Sequence, residues 1–155
     1  MDLSTITPAA FKAQFPREFP YATVNSQDAS KYVLDSDIQN AFLQARMQFN
    51  QSIIPTPAGL DPAQAITLAF LYLAAFYLVI DIKNALGGVE GTGATFPVNS
   101  RSVGNVSVSY TIPEKYLKNP NILYLTQNGF GQKYLSFILP GLIGNAVAVF
   151  ADTNP

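Results

Sequence analysis

The feature that most constrains this chain is a long apolar segment, Ala65 to Ile80, that contains no charged residue. It follows Asp61 and Pro62, residue types that are favoured at the start of a helix. It is followed by Gly87 and Gly88, which favour a helix C-terminus. A helix that is apolar on all sides lies at the centre of a bundle or spans a membrane. The segment therefore predicts a mainly α-helical fold, a small bundle around one central apolar helix.

Two shorter helices are predicted before the apolar one. Thr7 is a good N-cap residue for the first, and Pro16 ends it. In the second, Ser36 and Gln39 have the spacing of a capping box. Apolar residues then recur at helical spacing to about Asn50. Both helices therefore present an apolar face that can cover the central helix.

The sequence changes character after the apolar segment. Residues 87–104 are rich in Gly, Thr, Ser and Asn and are predicted to form a long loop. From residue 103 to 112, Val and Tyr alternate with Ser and Thr, which is the period of a strand. Residues 145–150 are small or β-branched and favour a second strand. The two strands could pair within one subunit or across subunits.

One domain is enough for 155 residues. We expect a helical domain over residues 1–140 that includes a loop and strand insertion at residues 87–113. Its last helix is predicted to end at Pro140, where Gly141 follows. Residues 141–155 are then expected to form an extended C-terminal tail.

Composition argues against most kinds of catalytic and metal site. The chain has no cysteine and no histidine, which removes thiolate chemistry and the commonest general base and metal ligand. Charged residues make up 12% of the chain, against about 25% in a typical soluble domain. A weakly charged surface often marks contact with other subunits, although a neutral surface rich in Ser, Thr, Asn and Gln is also compatible. We expect no catalytic residue, no cofactor and no metal.

A membrane protein is the main alternative. Residues 63–80 and 134–151 are uncharged and 18 residues long, which is the lower edge of a membrane span. Pro140 lies inside the second stretch and suits a turn better than a span, and Asp81 directly follows the first. A small holin-like membrane protein therefore stays open as an alternative to a soluble bundle.

Five segments, taken in order along the chain, carry a family resemblance. The most specific is residues 100–110, which resembles a Ser-x-Ser-Val-Gly-x-Val-Ser-Val-Ser pattern. The other four are Phe11–Pro16, Asp37–Phe42, Leu71–Ala75 and Gly129–Tyr134. Together they resemble the head–tail connector (adaptor) proteins in the neck of tailed bacteriophages.

The resemblance implies a helical bundle with one β-bearing loop. Such adaptors bind the portal vertex as a ring, commonly of twelve copies, and extend the DNA channel. On this resemblance we expect a virion protein, assembled in the host cytoplasm and not in a membrane. Its expected partners are copies of itself, the portal protein, a downstream neck or tail protein, and passing genomic DNA without sequence-specific contact. A different neck or tail-completion subunit is a further alternative.

Two segments are expected to make the subunit contacts, and their role is contact and not chemistry. In the first, the expected contact residues are Ser100, Arg101, Ser102, Val103, Gly104, Asn105, Val106, Val108 and Tyr110. In the second, they are Gly144, Asn145, Val147, Val149 and Phe150.

Overall fold

The fold is known from a computed structural model, which describes residues 2–22, 31–56, 59, 61–91, 100–103, 106–109 and 119–151. For residues 87–91, 100–103, 106–109 and 142–151 it describes the backbone alone. The elements are α1 (Pro8–Gln14), α2 (Asp35–Gln48), α3 (Pro62–Gly91), β1 (Ser100–Val103), β2 (Val106–Ser109), α4 (Pro120–Leu125) and α5 (Gly129–Ala151). Helices α2 and α5 both pack along α3. The chain is therefore mainly α-helical around a central apolar helix, as predicted.

The middle of α3 is enclosed by the rest of the chain. Every side chain from Ala69 to Leu78 is buried except that of Tyr72, which is partly buried. Phe70 and Phe76 are completely buried. Full burial of such a side chain stabilises the fold by roughly 1.5–3 kcal/mol relative to exposure. The uncharged segment thus forms the core that its composition predicts.

Aromatic rings carry the core from α3 into the neighbouring elements. Phe11 and Phe15 lie one turn apart on α1 with ring centroids 5.0 Å apart, in an edge-on arrangement. Phe15 is also edge-on to Phe130 of α5, at 5.5 Å. Phe19 stacks on that same Phe130 ring at 5.4 Å. Pairs of this kind contribute about 0.5–1.5 kcal/mol beyond their buried area. These aromatic contacts pack the end of α1 and the segment after it against the start of α5.

The helix starts are partly as predicted. Thr7 caps α1, because its hydroxyl accepts a hydrogen bond from the backbone N–H of Ala10 at 3.4 Å. The predicted capping box between Ser36 and Gln39 is wrong, since α2 already begins at Asp35. Its first turn is held by the Asp37 carboxylate, which accepts from the Leu34 N–H at 2.8 Å. A carboxylate is a stronger hydrogen-bond acceptor than the Ser36 hydroxyl, and this accounts for an N-cap at Leu34, two residues before the predicted one.

Two helix ends differ from the predictions. Helix α3 continues to Gly91, so the predicted loop at residues 87–104 is wrong at its start. Helix α5 runs through Pro140 to Ala151, so residues 141–151 are neither an extended tail nor a strand. Proline removes one helical hydrogen bond, and the helix continues beyond it although Gly141 and Gly144 are poor helix formers. Residues 152–155 lie outside the described part of the chain.

Glycine allows α5 to approach its neighbours closely at two positions. A Cβ at Gly131 would overlap the carbonyl oxygen of Leu125 and the ring of Phe76. A Cβ at Gly141 would overlap the carbonyl oxygen of Ile53, which belongs to the short 3-10 helix Gln51–Ile53. The path of α5 therefore depends on the absence of side chains at these two positions.

Candidate functional site

The segment with the most specific sequence pattern forms a β-hairpin. Strands β1 and β2 pair antiparallel, and only Gly104 and Asn105 lie between them in the sequence. Residues 106–109 of the predicted strand region therefore pair with residues 100–103, and residues 100–102 were wrongly assigned to a loop. A Gly-Asn pair between two strand-like runs is a hairpin signal that the sequence analysis missed. Gly104, Asn105 and Tyr110 lie outside the described residues.

The register of the hairpin sorts its residues into two kinds of pair. Ser100 is paired with Ser109, and Ser102 with Ser107. Between these pairs, Arg101 is paired with Val108, and Val103 with Val106. Because successive residues of a strand belong to opposite faces, one face of the hairpin is a serine face and the other is a valine and arginine face.

The second predicted contact segment does not join the first. Gly144, Asn145, Val147, Val149 and Phe150 lie in α5 and not in a strand. The sheet formed by the described residues has only two strands, β1 and β2. The predicted pairing between the strand region and residues 145–150 is therefore wrong for these residues.

A groove runs along the N-terminal part of α3 beside the end of α1, with a volume of about 420 Å³. It is lined by Gln14, Ala63, Gln64, Thr67, Leu68 and Leu71. None of these side chains is charged. Such a groove offers apolar contact with two amides at its margin, and no group in it is suited to acid–base chemistry.

A second groove of about 390 Å³ lies between α3 and the start of α5. It is lined by Tyr72, Val79, Asn128, Gly129, Phe130 and Lys133. The ammonium of Lys133 lies 5.7 Å from the centre of the Phe137 ring, within the range of a cation–π contact. Asn128 is held in place, because its amide donates to the Phe76 carbonyl at 3.3 Å and its oxygen accepts from the Gly131 N–H at 3.0 Å. The polar groups of this groove therefore make contacts within the protein, between α3 and the start of α5 and within α5 itself.

An apolar pair on the outer side of α2 was missed by the sequence analysis. Leu43 is 57% exposed and Met47 is 87% exposed, one turn apart. The buried face of α2 consists of Ile38, Ala41, Phe42 and Ala45. Leu43 and Met47 fall outside that repeat, and this is the signal that could have identified them.

The titratable groups of the core are tyrosines. Burial raises the pKa of the Tyr134 hydroxyl to about 12. Burial also raises the pKa of Tyr77 to about 12, and the neighbouring Tyr124 and Tyr134 add to the shift. The Tyr77 hydroxyl is buried without a hydrogen-bond partner. These groups stay protonated at neutral pH, so they act in packing and not as bases.

An ion pair connects two of the helices. The Lys12 ammonium lies 2.6 Å from the Asp35 carboxylate and joins α1 to the start of α2. Both side chains are substantially exposed, so the pair contributes at most about 1 kcal/mol. Among the residues that the structure describes, no group of three His, Cys, Asp or Glu side chains could hold a metal ion.

Comparison of the chain with known proteins identifies no relative. No protein-family model matches the chain, and neither a curated protein nor a solved structure matches it.

Proposed function

We propose that this chain is a structural virion protein: a head–tail connector (adaptor) subunit that docks on the portal vertex as a ring. It links the capsid to the tail or the next neck protein and extends the DNA channel. The observation that carries the proposal is the hairpin of β1 and β2, inserted between α3 and α4 of a helical bundle. A helical bundle with one β-bearing insertion is what the resemblance to such adaptors implies, and the hairpin is built from the segment that resembles them most.

The distribution of polarity supports a role in contact. The core of the described residues contains no buried polar or charged residue. Only 12% of the chain is charged, so much of the surface is polar but neutral, or apolar. A neutral surface loses little free energy of charge hydration when it is covered by another subunit. The proposed partners are copies of this chain, the portal protein and a neck or tail protein, with genomic DNA passing through the ring.

A truncation in the phage that encodes the chain tests this proposal. Removing residues 144–155 deletes the C-terminal end of α5 but leaves Ile138, the last buried core residue identified along the chain. We expect the purified truncated protein to lose only the helical signal of the deleted turns of α5 and to keep the thermal stability of the full chain. In infected cells we expect filled heads and free tails that do not join. Removing only residues 152–155 is the matched control, and a normal yield of infectious particles from the longer truncation would refute the proposal.

A holin-like membrane protein is a second candidate. Among the described residues, one helix stretch, Pro62–Leu86, is long and apolar enough to cross a membrane. Its middle is also buried inside the protein, as expected for the core helix of a soluble bundle. Expression without detergent, followed by high-speed sedimentation, separates the two. The connector proposal predicts protein in the supernatant, and the membrane alternative predicts protein that detergent releases from membranes but salt does not.

A further inference from the structure

Asn128 and Gly129 form the only Asn-Gly dipeptide in the chain. In such a dipeptide the backbone nitrogen of the glycine can attack the side-chain carbonyl carbon of the asparagine. The bond to the side-chain nitrogen breaks, the glycine N–H proton passes through solvent to it, and ammonia leaves a cyclic succinimide behind. Glycine favours this step because it has no Cβ and adopts a wide range of backbone angles. One water molecule then opens the ring to aspartate or isoaspartate.

The fold holds both polar ends of the Asn128 side chain. Its amide nitrogen donates to the Phe76 carbonyl of α3 at 3.3 Å, and its oxygen accepts from the Gly131 N–H at 3.0 Å. The backbone carbonyl of Asn128 accepts from the Gln132 N–H of α5 at 3.1 Å. Ring closure onto Gly129 removes the NH2 group and makes the side chain part of a backbone ring. The reaction therefore requires the side-chain contacts to break.

The start of α5 is packed too closely to accept either product of the reaction unchanged. A Cβ at Gly131 would overlap the Leu125 carbonyl oxygen and the Phe76 ring. Isoaspartate directs the main chain through the former side chain and so adds one methylene at position 128. In close-packed surroundings one additional methylene is enough to disturb the packing. Ionised aspartate keeps the normal backbone, but it has no N–H to donate to the Phe76 carbonyl.

From these observations we infer that Asn128 is a deamidation site, that the fold suppresses its reaction, and that its products weaken the packing of α5 on α3. While the start of α5 is closed, the amide stays in its hydrogen bonds, and reaction waits for local opening. Refolding does not reverse the change, because ammonia has left. The modified residue therefore accumulates in chains that have opened at α5. The reaction consumes only water, so it is independent of the proposed function.

Peptide mapping by mass spectrometry measures the suppression by the fold. The full chain is incubated at mildly alkaline pH, in buffer alone and in parallel in a denaturing concentration of guanidinium chloride. We expect Asn128 to convert at least about tenfold more slowly in buffer. In guanidinium chloride, Gly129→Ala should slow the conversion, because a Cβ hinders closure of the succinimide ring. Equal rates in buffer and denaturant, or undiminished conversion in Gly129→Ala, would overturn the inference.

Refolding of converted chains tests the loss of packing. The denaturant is removed from a partly converted sample, and the folded protein is separated from aggregate by sedimentation and from unfolded chains by brief proteolysis. We expect aspartate and isoaspartate at position 128 to be depleted in the folded fraction relative to the starting mixture. Gly129→Ala, treated in the same way, controls for other damage during incubation and should refold fully. An equal share of converted chains in the folded fraction and in the mixture would overturn the inference.

Discussion

The middle of α3 and the β-hairpin differ in how many packing partners they have within one copy of the chain. Residues 69–78 of α3 are enclosed by α1, α2 and α5 of the same chain, and their core packing is complete in one copy. The hairpin is a sheet of two four-residue strands, and no third strand pairs with it among the described residues. A two-stranded sheet is marginally stable alone in water. The comparison indicates that α3 determines whether the chain folds, and the small size of the hairpin is compatible with the contact role that we propose for it.

The largest effect is expected at the centre of α3. Phe76 is completely buried, so Phe76→Ala removes a large side chain and leaves a cavity. We expect a loss of about 3–5 kcal/mol in the free energy of unfolding, measured with chemical denaturant. Leu86→Ala, at the exposed end of the same helix, is the control and should change it by less than about 0.5 kcal/mol. Similar losses from both variants would contradict the central position of residues 69–78.

Close packing of α5 against α3 gives the next largest effect. Gly131→Ala places a Cβ against the Leu125 carbonyl and the Phe76 ring, and overpacking of this kind costs about 1–3 kcal/mol. Gly129→Ala is the matched control, because nothing lies within 4 Å of a Cβ at that position and alanine favours the helix. We expect the first variant to melt at a lower temperature than the wild type and the second to melt no lower. The reverse order would refute the packing of α5 described above.

A smaller effect of opposite sign is expected at Tyr77. Its hydroxyl is buried without a partner, and such a group costs about 1–3 kcal/mol. Tyr77→Phe removes that hydroxyl and keeps the ring, so it should raise the melting temperature. A lower melting temperature would show that the hydroxyl has a stabilising partner.

The same tyrosines predict how stability depends on alkaline pH. Burial raises the pKa of Tyr77 and Tyr134 to about 12, above the usual tyrosine pKa of about 10. The folded chain therefore holds these protons more tightly than the unfolded chain. Their contribution to stability is complete below pH 10 and is lost as the pH rises from 10 to 12. Denaturant titrations across this range should show a shallower fall for Tyr77→Phe than for the wild type, and equal slopes would contradict the assignment.

The smallest effect on folding is expected in the hairpin. Replacing Val106 and Val108 with serine changes the valine and arginine face and leaves α3 untouched. We expect the free energy of unfolding to change by no more than about 0.5 kcal/mol, while the joining of heads and tails is impaired. The pair Ser107→Thr and Ser109→Thr, on the serine face, is the control. A large loss of stability from the valine variant would show that the hairpin belongs to the folding core.

The helical core was predictable because its signals are long and local. The uncharged run that contains Phe70 and Phe76 is consistent only with a buried or membrane-spanning helix, and Thr7 marks the start of α1 by its own hydroxyl. Short elements were harder to predict. Proline and glycine at residues 140–141 predicted a helix end, but a contact with Ile53, distant in sequence, accommodates Gly141 within α5.

The candidate contact surfaces were less predictable than the core. The sequence located residues 100–109 but missed their pairing, since each strand has only four residues. The groove at the start of α3 brings Gln14 of α1 beside Leu68, a proximity that depends on the tertiary fold. Leu43 and Met47 were missed although they fall outside the buried repeat of α2, and the fold shows that both side chains are exposed.

Co-sedimentation with the portal protein encoded by the same genome tests most directly the proposal that this chain joins a portal ring. The chain is expressed without detergent, purified from the high-speed supernatant, mixed with portal assemblies and analysed by sedimentation velocity. If the chain forms a ring on the portal, we expect the portal boundary to sediment faster. At saturation, each portal assembly should then carry a whole number of copies of this chain. An unchanged portal boundary, or recovery of the chain only from detergent-extracted membranes, would contradict it.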